Sequence, residues 1–94
     1  MAVGRAQRRA ERAARFAEVF GEKSHFALDL VEVMEYAWHD CYSKELTPPD
    51  NVIDDLLVCS EGSIETLIRA VHMGITDWRD LRMWANAVRE DSAS

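Results

Sequence analysis

The chain has 94 residues, 48% hydrophobic and 30% charged, with a net charge of −6. That length gives one folding unit with a modest core, and the acidity argues against broad binding to nucleic acid or to anionic membrane. Cys41 and Cys59 are too few, and too far apart, for a disulfide scaffold, and no apolar run approaches the ~20 residues that span a bilayer. The N-terminus lacks the apolar stretch of a signal peptide, so the expected location is the cytoplasm, with both thiols reduced. Arg outnumbers Lys nine to two, a bias that fits a small bacterial or phage protein.

Charge is laid out unevenly. Residues 1–22 carry five Arg against three carboxylates, residues 23–68 two Lys against ten carboxylates, and residues 69–94 four of each sign. This divides the chain into an Arg/Ala-rich N-terminal helix (1–22) and an acidic helical domain (23–94).

Residues 2–20 read as a first helix. Val3, Ala6, Ala10, Ala13, Ala17 and Phe20 recur at heptad spacing, a seam that is mostly Ala and buries little area per turn. Arg5, Arg8, Arg9, Arg12 and Arg15 fall on the other faces, and Gly21 suits a helix stop. Ser24 is placed to cap a second helix over 25–43. Its apolar stripe has two rows, one of Phe26, Leu30, Val33, Ala37 and Cys41, the other of Ala27, Val31, Met34, Trp38 and Tyr42. Asp29, Glu32, Glu35, Tyr36, His39 and Asp40 take the opposite face.

Thr47, Pro48 and Asp50 read as the start of a third helix, with Thr47 as cap and Pro48 in the first turn. It runs to about Val58, buries Ile53, Leu56 and Leu57, and turns Asp54 and Asp55 outward. Ser60 or Ser63 caps a fourth helix that stops at Gly74. Thr76 or Asp77 starts a fifth, with Trp78, Leu81, Trp84, Ala85 and Val88 inward and residues 89–94 fraying. The fold expected is all-α, a compact array of four to five short helices, the first either packed or free as an arm or oligomerisation helix. The core expected is Phe26, Leu30, Val33, Met34, Ala37, Trp38, Leu56, Leu57, Leu67, Ile68, Val71, Leu81, Trp84 and Val88.

The motifs point away from chemistry. His39 and Cys41 are two apart on a helix and so diverge, and no CxxC or HxxxH spacing is present. There is no nucleotide-binding or nucleophile-elbow fingerprint, and a helical unit this small leaves little room for a pocket. No metal, cofactor or catalytic residue is expected. Residues 66–88 resemble a degenerate helix-turn-helix, but its reading helix carries carboxylates where phosphates approach. The leading expectation is a non-catalytic adaptor or regulator that binds a protein with a basic surface. Its contact would be Asp29, Glu32, Glu35, Tyr36, His39, Asp40, Asp50, Asp54 and Asp55, in one variant as an inhibitor that takes the place of nucleic acid in a basic groove. The alternative is a DNA-binding protein using residues 66–88 and the Arg helix. Those five Arg could equally dock on the chain's own acidic face or on a second copy.

Overall fold

The computed structural model describes residues 4–42 and 47–93. Val3 of the expected seam, and the side chains of Arg5, His39 and Cys41, lie outside that description. The helices are α1 (Arg5–Phe20), α2 (Ser24–Cys41), α3 (Asp50–Ser60), α4 (Ile64–Thr76) and α5 (Trp78–Ala93), with a 3-10 turn, Gly21–Lys23, between α1 and α2. The fold is the expected all-α array. α1 packs on α2, α4 touches α2, α3 and α5, and α3 lies against α5. The Cα radius of gyration, 12.8 Å, is close to the ~13 Å of a compact 100-residue domain, so α1 does not project as an arm.

Local chemistry sets the helix ends. Gly21 takes φ +57° and its N–H bonds to the Ala17 carbonyl, which stops α1. Ser24 is the first residue of α2 rather than its cap, because the 3-10 turn leads straight into the helix. α3 begins two residues later than expected. The Pro49 carbonyl accepts the first N–H groups, from Val52 and Ile53, and Thr47 lies outside the helix. Ser63 caps α4 by accepting from the Thr66 N–H. Gly74 does not stop that helix. It is buried inside it, and an added Cβ would stand 2.8 Å from Met34 Cε and 3.2 Å from Leu81 Cδ2; it is a point of close approach.

Asp77 alone joins α4 to α5, and its carboxylate accepts from the Arg79 N–H at 3.0 Å. The Tyr42 hydroxyl braces this corner. It lies 3.1 Å from the Gly74 carbonyl and accepts from the Trp78 N–H at 3.3 Å. α5 then runs to Ala93 without the frayed end expected from Arg89 onward.

The core differs from the expected one in which rows it takes. On α2 it uses Ala27, Leu28, Val31, Met34 and Trp38, while Phe26 and Val33 are 54% and 60% exposed. Ile68 of α4 is also exposed, and Leu30, Trp84 and Val88 are only partly buried. Leu56, Leu57, Leu67, Val71 and Leu81 are buried as expected. Of the seam expected on α1, Phe20 is buried and Ala13 partly so, but Ala6, Ala10 and Ala17 are exposed, and Phe16, outside that seam, enters the core. The stripe expected on α2 was wider than its neighbours could cover, so Phe26 and Val33 of one row were left in water while Leu30 and Ala37 of the same row are half-buried. Trp38, 3% exposed and with its ring centroid 4.3 Å from that of Tyr42, sits where α2 meets the rest. Trp38→Ala should therefore lower the unfolding free energy by about 3–5 kcal/mol, read from urea denaturation; a loss below about 1 kcal/mol would show that the site is not central.

Candidate functional site

The acidic face of α2 is covered by the chain's own arginines. Arg8 and Arg12 stand one turn apart on α1 and so point the same way. Arg8 Nε donates to Glu35 Oε2 at 2.8 Å and its terminal nitrogen pairs with the same oxygen, while Arg12 holds Oε1 at 3.1 Å. The Glu35 side chain is 1% exposed. The sequence placed it in solvent; α1 buries it instead, because two guanidinium groups supply the donors that a buried carboxylate requires. Arg12 also donates to the Thr47 hydroxyl at 3.2 Å, tying the approach to α3 into the same cluster.

Around this clamp, Arg9 pairs with Asp29 at 2.7 Å and with Glu32 at 3.0 Å, and donates to the His25 carbonyl. Those carboxylates raise the Arg9 pKa further above its ordinary value. Arg15 pairs with Asp54 across the gap between α1 and α3.

A second clamp joins α3 to α5. Asp55, expected to face outward, is 2% exposed; it accepts from Arg82 Nε at 2.5 Å and pairs with Arg89 at 2.9 Å. Arg82 and Arg89 are seven apart, two turns on one face of α5, which explains why that helix continues past Arg89. One Arg82 guanidinium nitrogen is buried without a hydrogen-bond partner. The neighbouring Cys59 thiol is pushed from 9.0 up to about 12, first by burial and then by the Asp55 charge.

Of the expected contact residues, Asp29, Tyr36, Asp40 and Asp50 are exposed and Glu32 is part-exposed, but they are not one surface of free carboxylates. Asp29, Glu32, Glu35, Asp54 and Asp55 are all engaged in cis. His39 and Arg5 belong to the undescribed side chains. Residues 66–88 lack the three- or four-residue turn of a helix-turn-helix, since Asp77 is the whole connection. Two of its three arginines are engaged, Arg79 with Asp77 and Arg82 with Asp55, and Arg79 holds the Asp77 carboxyl below its ordinary range.

A cleft of about 760 Å³ lies between α1 and the start of α3, larger than this length led us to expect. Arg8, Arg12 and Arg15 on its wall are engaged as described, and Thr47, which also lines it, accepts from Arg12. Among the described residues that line it there is neither His nor Cys; its carboxylates are Glu11, Asp50 and Asp54. No group of three or more His, Cys, Asp or Glu residues among the described ones could hold a metal ion, and none of the described helices is long and apolar enough to cross a membrane.

Neither family models, nor curated proteins, nor solved structures give a match to this chain. The surface feature that sequence reasoning missed is on α2. Phe26 and Val33 join Tyr36, each more than half exposed, on one side of that helix. Their step of seven, Phe26 to Val33, was legible; which of two apolar rows the core would take was not.

Enclosed and exposed ion pairs should differ in what they cost to break. Glu35→Ala leaves Arg8 and Arg12 facing each other under cover, and should cost about 3–5 kcal/mol, whereas Arg15→Ala at the exposed Asp54 pair should cost no more than about 1 kcal/mol. Urea denaturation of the two variants checks the ordering, and equal costs would mean that Glu35 is not enclosed. In a Cys41→Ser background, Cys59 should resist thiol reagents until the protein unfolds. Between pH 9 and about 12 the unfolded thiol has lost its proton and the folded one has not, so stability should fall as pH rises through that window. Rapid labelling of Cys59 at neutral pH would contradict its burial.

Proposed function

We propose that this chain is a non-catalytic protein-binding module whose contact surface is the outer face of α2. The observation that carries the reading is the exposure of Phe26 (54%), Val33 (60%) and Tyr36 (60%) within three turns of one helix, the other side of which is core. Scattered exposed apolar residues are ordinary, but several large ones on adjacent turns make a patch that water disfavours and a partner covers. An aromatic pair around an aliphatic centre is also what protein contacts favour, and Tyr36 adds a polar tip to an apolar body.

This moves the contact expected from the sequence. An acidic surface shaped to fill a basic groove needs unengaged carboxylates, and on α2 and α3 most of these are held by Arg8, Arg9, Arg12, Arg15, Arg82 and Arg89. The same ion pairs weaken the nucleic-acid alternative. Phosphate binding draws on cations that can exchange their counterions, and four of the five arginines of the first helix are engaged by carboxylates. What remains of the expected contact on α2, among the described side chains, is Tyr36 and Asp40, joined by the apolar residues beside them.

A photo-crosslinking amino acid placed at position 36, with position 87 on the exposed side of α5 as control, tests the reading in cells of the organism that encodes the chain. Covalent adducts of defined mass should form from position 36 and not from 87, and Val33→Asp should abolish them. Adducts equal at both positions, or none from position 36, would refute a contact surface on α2.

A further inference from the structure

The outer row of α2 has an internal symmetry. Lys23, Phe26, Leu30, Val33, Ala37 and Asp40 follow one another at steps of three, four, three, four and three. That spacing reads the same in both directions about a midpoint between Val31 and Glu32. It is also the alternation that keeps one stripe of a helix against a partner helix. We propose that this row is the contact between two copies of the chain, with their α2 helices antiparallel across a two-fold axis at that midpoint. The proposal rests on the reading of the outer face of α2 as the contact surface, and names what covers it.

In that arrangement every contact occurs twice. Leu30 of each copy faces Val33 of the other at the centre. Phe26, the largest side chain of the row, faces Ala37, the smallest, so bulk meets space at both ends. Beyond them Lys23 faces Asp40.

The charges favour a second copy over a basic or an acidic partner. Beside the row, Asp29 and Glu32 are already paired with Arg9. Lys23 and Asp40 are exposed, and neither takes part in an ion pair among the described residues. One charge of each sign therefore stands at opposite ends of a row that is otherwise apolar. A partner with a uniformly basic face would meet Lys23 with like charge, and an acidic one would meet Asp40. An identical row run in reverse meets both correctly.

Their placement also needs a reason within the single chain. Lys23 stands at the N-terminal end of α2 and Asp40 at its C-terminal end, each against the helix macrodipole. Pairing across the two-fold axis gives each the opposite charge that its own helix end does not provide. One helix pair per dimer is at the low end of interface sizes, so the association is reversible and concentration-dependent.

Sedimentation velocity of the full chain over a concentration series tests this. Wild type should pass from monomer to dimer. Lys23→Glu and Asp40→Lys should each weaken the dimer by roughly tenfold, since two exposed attractive pairs become two repulsive ones. Both changes suit the α2 macrodipole better than the residues they replace, so an intact thermal unfolding transition should accompany the loss. An equimolar mixture of the two variants should regain dimer. In the mixed pair the introduced glutamate of one copy meets the introduced lysine of the other, and the remaining native Asp40 meets the remaining native Lys23. Wild type that stays monomeric up to its solubility, or a dimer indifferent to the single variants, would overturn the proposal. Monomeric wild type whose position 36 is crosslinked to a different protein removes self-pairing alone; a chain with no adduct at position 36 removes the contact surface itself.

Discussion

A carboxylate withdrawn from water must be answered by cations held in place, and Glu35 between Arg8 and Arg12 is where this chain meets that demand. Taking an ion out of water costs several kcal/mol after relaxation, so the pairing is no ornament on a fold already made. Both Glu35 oxygens are engaged, one by each guanidinium. Sliding α1 along α2 by one turn would leave one arginine without its acceptor. The clamp therefore sets the register of α1 where the Ala-rich half of that helix has little apolar area to set it. Phe16 and Phe20 supply burial at the other end. The first half of α1 is positioned by charge and the second by packing.

The same device recurs between α3 and α5, where Asp55 is held by Arg82 and Arg89. Helices that follow one another closely are brought together by short connections: Gly21–Lys23 between α1 and α2, Asp77 between α4 and α5. α3 and α5 have the whole of α4 between them, and there the chain uses an ion cluster besides apolar contact. A guanidinium presents a fork of donors that a lysine ammonium does not. Of the nine Arg, seven take part in ion pairs among the described residues.

The fold class, the helices, the stop at Gly21 and a cap for α4 at Ser60 or Ser63, the second of which the structure uses, could be read from the sequence because they rest on local rules: period, caps and backbone freedom. The docking of the Arg helix on the acidic side was legible as one of several options. Which carboxylates it would bury was not. Glu35 and Asp55 lie on helices that look polar on that side, and a periodicity argument assigns polar sides to water. The error at Phe26 and Val33 has the same root. α2 carries apolar residues over more than half its circumference, and the core of a 94-residue chain cannot cover them all. With Glu35 drawn inward to meet α1, the opposite edge of α2, with Phe26 and Val33, is left outside.

That arrangement also links the interior to the surface. Net charge describes the chain as acidic, but the sign of a surface depends on which charges are already answered. On the α1 side of α2 the acids are matched by arginines; on the outer side they give way to Phe26, Val33 and Tyr36. The ion pair that seats α1 thus goes together with the exposure of Phe26 and Val33 on the opposite side of α2.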